Sequence, residues 1–298
     1  WCQLFSEPGA GSDVAGLSTR ATRDGADWVV QGQKVWASIA HKSSWAMLLA
    51  RTDPDKPKHD GLSYFLLDMK TPGVEVRPLY QITGDAEFNE VFLNDVRIPG
   101  DRLLGKEGMG WRVAITTLMN ERVALGGSSR PGHGLSEKLL DLWREEGPCG
   151  PRGADGRSAA EIALLRDAVV RLHVESELLG ITNQRTKAAM QAGNPGPEGS
   201  VAKLVQAELN KKITELGLEV IGSDALVYET GYPLRRDDAT PPRTRRENAK
   251  HDFLRARANS IEGGTSEVMR NILGERVLGL PGDLRADAGM PWKEIPRG

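Results

Sequence analysis

At Pro99-Gly100-Asp101 the spacing of apolar residues changes, and that change limits the fold more than any other feature of the chain. Before it, short apolar runs recur between glycines, prolines and asparagines. After it, apolar residues return every three or four positions over long stretches. A strand turns successive side chains to opposite faces, and a helix brings them back every 3.6 residues, so the two patterns belong to different elements. The 298 residues suffice for about two domains at roughly 100–200 residues each. The expected architecture is α+β. A β-barrel or sandwich spans 1–100, an antiparallel helical bundle 101–282, and a C-terminal tail 283–298.

Within the first part, Trp28-Val29-Val30 and Lys34-Val35-Trp36 flank Gln31-Gly32-Gln33 like a hairpin, with glycine where a turn needs it. Further strands fit residues 45–50, 62–67, 74–79 and 90–93, each bounded by turn-forming residues. In the second part helices fit 109–127, 135–146, 159–191, 200–222 and 265–280. The third of these holds no proline and one glycine, and Gly193-Asn194-Pro195-Gly196-Pro197 stops it. Two stretches fit neither period. Gly147 to Arg157 reads as a surface loop. Residues 232–250 gather Arg235, Arg236, Arg243, Arg245 and Arg246, which either form a phosphate-binding patch or lie in a solvated loop beside Asp237, Asp238 and Glu247. Charge runs are most often solvated, so the loop is expected.

Charge and composition exclude several classes. Lys plus Arg is 39 against 41 Asp plus Glu, so there is no global electrostatic case for nucleic-acid binding. The longest apolar run, Trp45 to Ala50, is far short of the roughly 18–20 residues of a membrane span. Cys2 and Cys149 make neither a disulfide framework nor a zinc quartet, and His41, His59, His133, His173 and His251 stand singly, so no metal site is expected. A reduced, cytoplasmic compartment is the default reading. The chain opens at Trp1 with no leader pattern, and a piece of a longer protein is expected.

Three motifs point to chemistry. In Phe5-Ser6-Glu7-Pro8-Gly9-Ala10-Gly11-Ser12-Asp13, two glycines allow a flat or anionic ligand close to the backbone, and hydroxyls flank them. A structural glycine turn explains the same residues. In Gly32-Gln33-Lys34-Val35-Trp36-Ala37-Ser38, an aromatic and a hydroxyl two apart share one strand face, a plausible wall for a flat ring. Trp36 as core filler is the alternative. In Ser260-Ile261-Glu262-Gly263-Gly264-Thr265-Ser266-Glu267-Val268, Thr265 can cap a following helix, or the loop's backbone N–H groups can meet a ligand.

In order and spacing over residues 1 to about 282, these motifs resemble the acyl-CoA dehydrogenase family, whose helical N-terminal domain has no counterpart here. The resemblance implies FAD as cofactor, an acyl-CoA substrate, removal of its α-proton, and hydride transfer from the β-carbon to give a trans-2-enoyl-CoA. It also implies electron-transfer flavoprotein as electron acceptor and a homo-oligomer, dimer or tetramer. By this likeness Phe5, Ser6, Trp36 and Ala37 line the flavin ring, with Ser38 near N5. Gly222, Thr265, Ser266 and Glu267 sit beside FAD. Ser12 contacts the CoA arm, and Arg122 and Gly263 adjoin the substrate. A thioester α-proton is too weakly acidic for an unassisted carboxylate, so the site must stabilise the enolate with preorganised donors and keep its base dry.

The chain departs from the family pattern at the base. Most relatives place a Glu directly before the single Gly-Thr of the C-terminal loop. Here Gly263 occupies that place and Glu262 lies one residue earlier. A minority carry the base as Glu before Arg on the first helix of the bundle, which here is Glu121-Arg122. Glu121 is the expected catalytic base and Glu262 the alternative. An Arg-Lys-x-Phe-Gly segment that reaches a partner's FAD is missing, with Arg157 as a substitute. A Gln-x-x-Gly-Gly segment survives only as Glu219-Val220-Ile221-Gly222-Ser223. These losses admit a hetero-oligomer sharing its site. The remaining alternatives are an acyl-CoA oxidase or flavin monooxygenase on the same scaffold, and a catalytically silent partner subunit.

Overall fold

The computed structural model describes residues 1–126, 133–148, 156–191, 198–227, 243–282 and 284–296. They fall into two compact units, one of residues 1–119 with 284–296, the other of residues from Asn120 to Gly282.

The first unit carries seven strands: β1 (Cys2–Leu4), β2 (Arg20–Asp24), β3 (Asp27–Lys34), β4 (Trp45–Arg51), β5 (Leu62–Asp68), β6 (Val74–Leu79) and β7 (Phe88–Ile98). They form one mixed sheet in the order β1-β4-β2-β3-β7-β6, with β5 also paired to β4. The barrel or sandwich expected from strand spacing thus resolves into a single connected sheet. The reason is that β1 and β2 both pair parallel to β4, which no succession of hairpins would produce. The alternation of β7 buries Val91, Leu93, Val96 and Ile98 against Trp28, Leu48 and Phe65. Trp28 and Phe65 meet edge to face with ring centroids 5.4 Å apart, the favoured arrangement of two quadrupoles.

The other side of β4 and β5 packs Leu49, Leu62 and Tyr64 against Phe5, Leu17 and Ala114. Ala114 lies on α1 (Gly110–Gly126), whose first turns run over the sheet. Gly110 permits that approach, because a Cβ there would lie 2.5 Å from the Ser63 carbonyl carbon.

The hairpin expected around Gly32 is not formed: β3 runs unbroken from Asp27 to Lys34. Gly32 marks a register shift against β7, and a Cβ on it would lie 2.3 Å from Thr19 Oγ1 and 2.8 Å from Thr19 Cα. Glycine is there for close packing inside a strand and not for a turn. Gly32→Ala should therefore destabilise the protein by about 1–3 kcal/mol, the usual range for overpacking. Urea unfolding should show a lower midpoint at unchanged slope. An unshifted midpoint would mean that the sheet opens without strain.

The second unit holds α2 (His133–Glu146), α3 (Ala159–Gln191), α4 (Glu198–Ile221), α5 (Arg245–Ala256) and α6 (Ser266–Arg276). Helix α4 is its hub and packs against α2, α3, α5 and α6. Leu209, Ile213, Leu216 and Val220 of α4 meet Leu139 and Leu142 of α2 and Val169, Leu172 and Leu179 of α3.

The loop expected over 232–250 is corrected at its end, where α5 begins. Thr244 and Glu247 form a reciprocal capping box. Arg245 pairs with Asp141 (3.1 Å) and Glu145 (2.9 Å), and Arg246 with Glu146 (2.6 Å) and Asp224 (2.6 Å). These two arginines tie α5 to α2 and to the turn after α4; they form no phosphate patch. Arg235 and Arg236 lie outside the described residues, as do most of the Gly147–Arg157 loop and the Gly193–Pro197 stop.

Candidate active site

The first motif is folded around a buried ion pair. Strand β1 delivers Phe5, which is buried edge-on against Tyr64, and half-buried Ser6. Glu7 then turns inward. Its carboxylate accepts from Ser18 N (2.6 Å) and Thr19 N (2.9 Å) and pairs with Lys34 Nζ at 2.9 Å. Lys34 Nζ also donates to the Phe5 carbonyl at 3.0 Å. Burial pushes the Lys34 ammonium down to about 8, with Glu7 opposing it. Burial alone would raise the Glu7 carboxyl; the Lys34 charge and the hydrogen bonds outweigh it and hold it below the ordinary value.

Reciprocal backbone hydrogen bonds between Glu7 and Ala10, both 3.0 Å, close the turn and leave Gly9, Gly11, Ser12 and Asp13 exposed. Neither Gly9 nor Gly11 has positive φ, and a Cβ on either would meet nothing within 4 Å. The fold makes no demand for glycine at these two positions. What their missing side chains leave is bare backbone beside a hydroxyl.

The second motif lies beside the first. Val35 N donates to Ser6 O at 2.9 Å, Ala37 N to Asn89 O at 3.0 Å, and Asn89 Nδ2 back to Ala37 O at 2.9 Å. Strand β3 ends at Lys34, so Trp36 and Ser38 do not share a strand face as expected. Trp36 instead takes φ 60° and Ile39 φ 48°, the left-handed region that bulky side chains avoid. Between those two positions Ala37 is buried while Trp36 and Ser38 are exposed, Trp36 at 57%. Trp36 is therefore not core filler. Its ring touches Phe88 edge to face at 5.7 Å and otherwise stands as a flat apolar surface with a hydroxyl nearby. Strained backbone held by its neighbours is common where a ligand is gripped.

In the second unit the loop before α6 is fastened from below. Buried Lys203 donates to the carbonyls of Asn259 (2.9 Å) and Gly264 (2.5 Å). Gly263 and Gly264 take φ 63° and 95°, and a Cβ on Gly264 would meet Met269 at 2.6 Å. Glu262 is gripped by Arg255 through two 3.0 Å hydrogen bonds and accepts a third from Asn259 at 2.8 Å. Thr265 caps α6 by accepting from Val268 N, Ser266 donates to Glu208 Oε1 at 2.8 Å, and exposed Glu267 lies 3.5 Å from Arg270. Gly222 takes φ 77° where α4 ends, and Arg157 donates to the Glu219 carbonyl at 2.6 Å. Glu121 and Arg122 stand on α1; their side chains lie outside the described residues.

Of the polar residues that build these loops, Glu7 and Lys34 stand inside the motifs without an assigned role, and Asn89 and Lys203 lie outside them. Their signal was faint: a charge inside an apolar stretch is as often a solvated face. Among the described residues no helix is long and apolar enough to cross a membrane, and no group of three His, Cys, Asp or Glu could hold a metal ion.

A β unit with an exposed glycine loop and an exposed tryptophan, and a helical unit with a Gly-Gly-Thr helix start, define a two-unit α+β protein. Residues 2–96 match the acyl-CoA dehydrogenase middle domain, and residues 108–278 the acyl-CoA dehydrogenase C-terminal domain. The chain belongs to the acyl-CoA dehydrogenase family.

Acyl-CoA dehydrogenase FadE34 of Mycobacterium tuberculosis is 40% identical over 282 residues, 94% of this chain and 35% of that protein. Acyl-CoA dehydrogenase IpdE1 of the same organism is 39% identical over 283 residues, 94% of this chain and 67% of that protein. The crystal structure of the ChsE4-ChsE5 complex from Mycobacterium tuberculosis superposes with a TM-score of 0.73 at 30% identity, covering 95% of this chain and 69% of that one. The chain thus spans about a third of the first relative's length and two thirds of the second's.

Proposed function

We propose that the protein catalyses FAD-dependent α,β-dehydrogenation of an acyl-CoA thioester to the trans-2-enoyl-CoA. The observation that carries this is the exposed, left-handed Trp36, fastened through Val35 to Ser6, which stands three residues before the first of two glycines the fold itself does not need. The donor set fits a flavin: a flat indole face, the hydroxyls of Ser6 and Ser38, and backbone between them. Phe5 and Ala37 are buried beside that surface; Thr265, Ser266, Glu267 and Gly222 are assigned to FAD by the family resemblance alone. When bound, FAD supplies the hydride acceptor. Ser12 and the bare backbone at Gly9 and Gly11 take the CoA arm. Glu121 holds the proton removed from the α-carbon, with Arg122 and Gly263 beside the acyl group. The hydrogen bonds from Arg255 and Asn259 to its carboxylate weigh against Glu262 in that role. Electron-transfer flavoprotein is the acceptor that reoxidises the enzyme.

A second reading is a subunit of a hetero-oligomeric dehydrogenase. Gly263 in place of the loop carboxylate and the tied Glu262 favour it, and one relative is named as a complex of two proteins. The full-length protein, purified and mixed anaerobically with a series of acyl-CoAs, decides. A yellow protein whose flavin bleaches supports the dehydrogenase. Rapid peroxide formation in air points to an oxidase. A colourless protein that becomes yellow and active only with a second chain makes it a partner subunit.

One further expectation concerns Glu262. Its pair with Arg255 is about one third exposed on each side, so Glu262→Gln should cost no more than about 1 kcal/mol of stability. It should leave flavin reduction within about fivefold of wild type, far from the loss expected of a general base.

A further inference from the structure

Residues 284–296 belong to the first unit and lie along the loop that joins β4 to β5. Trp292 N donates to Lys56 O (2.9 Å) and Lys293 N to Pro54 O (3.1 Å), while Lys293 Nζ pairs with Asp55 at 2.6 Å. Three contacts then reach the residues just after the bare glycines. The Trp292 indole N–H donates to Gly16 O at 3.2 Å. Its ring lies 4.2 Å from the guanidinium of Arg51, a buried side chain that donates to Ala15 O (2.6 Å) and Leu17 O (3.2 Å). Lys58 bridges two carboxylates, Asp287 of the tail at 2.6 Å and Asp13 of the loop at 2.9 Å.

The chemistry of that bridge is specific. Asp13 adjoins Ser12 and is largely exposed, so an anionic ligand arriving at Ser12 meets a carboxylate. Lys58 pairs with it, Asp287 holds Lys58 in place, and the Arg285 charge near Asp287 balances the second carboxylate. A partly buried ammonium between two carboxylates is fixed in a way that a single exposed pair is not.

We propose that residues 284–296 are a strap that sets the shape and charge of the Gly9–Asp13 loop for an anionic ligand, with Trp292 and Lys58 as positioning residues. The ligand class rests on the functional reading above: the phosphate-bearing arm of an acyl-CoA. The strap itself does not rest on it. Trp292 acts through Gly16 and Arg51, Lys58 through Asp13, and neither touches the reacting carbons.

Two measurements on the full-length protein test the two parts. The first is hydrogen exchange without ligand. Trp292→Ala should speed exchange at Gly16 and Leu17, whose amides close the turn after Asp13, by about tenfold, the equivalent of one lost cation–π contact and hydrogen bond. Amides of β3 and β7 should stay protected, and Trp292→Phe, which keeps a ring over Arg51, should fall in between. Unchanged exchange at Gly16 and Leu17 overturns the strap.

The second is titration with an acyl-CoA and with CoA itself. Lys58→Met should raise Kd and KM by about 5- to 10-fold with kcat within about twofold, and Lys58→Arg should restore affinity. A parallel fall in kcat and flavin content, or an unchanged Kd, overturns the positioning role. A wild-type protein that binds no acyl-CoA overturns the functional reading instead, and the exchange experiment still decides the strap.

Discussion

Glu121→Gln in the complete protein should lose at least two decades of flavin reduction while still binding acyl-CoA. The replacement keeps the shape of the side chain and removes the proton acceptor. General-base catalysis is typically worth about 10²–10⁴-fold, and that is the range expected here. An interaction made only in the transition state lowers kcat and leaves ground-state binding alone, so the Kd for substrate should hardly move. The proposal of Glu121 is supported by two facts about the loop before α6. Gly263 brings no carboxylate, and Glu262 spends both of its oxygens on Arg255 and one of them on Asn259 as well. Glu121 stands on α1, three residues past Leu118, which packs with the cluster of β4 and β5. Anaerobic stopped-flow bleaching at saturating acyl-CoA is the measurement. Near wild-type rates in Glu121→Gln, with collapse in Glu262→Gln, would return the base to the C-terminal loop.

Much of the fold was legible because it rests on periodicity. Helix α3 was readable to the residue at both ends, since a long uninterrupted apolar stripe admits no other element. Strands β4, β5 and β6 were readable because turn residues bracket them. Strand β2 was not: Arg20–Asp24 buries only Ala21, so it carries no apolar run, and only the Asp24-Gly25 turn that joins it to β3 gives it away. Helix α5 was hidden for a similar reason. It is held by arginine–carboxylate pairs to α2, and a charge run in a sequence does not reveal its partners. Gly32 shows the opposite error. A glycine between apolar triplets looks like a turn, and only the position of Thr19 shows that it is a packing requirement.

The residue types of the candidate site were legible in the sequence, and the groups that support them were not. Phe5, Ser6, Ser12, Trp36 and the Gly-Gly-Thr stretch stand out by residue type and spacing. The groups that hold them are ordinary charged and amide side chains distant in sequence. Asn89 brackets Ala37 across 52 positions and Lys34 reaches Glu7 across 27. Tertiary structure alone brings such pairs together.

That support is the object of the second large effect. Glu7→Gln should destabilise the protein by about 3–5 kcal/mol, because it leaves the fully buried Lys34 ammonium beside Phe5 O with no charge to balance it. Lys34→Met alone should do comparable harm by stranding the Glu7 carboxylate. The double variant Glu7→Gln with Lys34→Met should recover most of the loss, since a buried pair replaced by apolar or neutral groups of similar size is often nearly neutral. The sign of the pH dependence follows from the carboxyl being held below its ordinary value. Its contribution is present above about pH 4.5 and is lost as pH falls through the folded-state value. Lys34, pushed down to about 8, carries a burial penalty that is present below pH 8 and is relieved as pH rises toward 10.5. The gap in stability between wild type and Glu7→Gln should therefore narrow on acidification, and urea unfolding at pH 7 and at about pH 2.5, below the usual carboxylate range, measures it. An equal gap at both pH values would mean that Glu7 acts through packing, and the pair would then hold the glycine loop by shape alone.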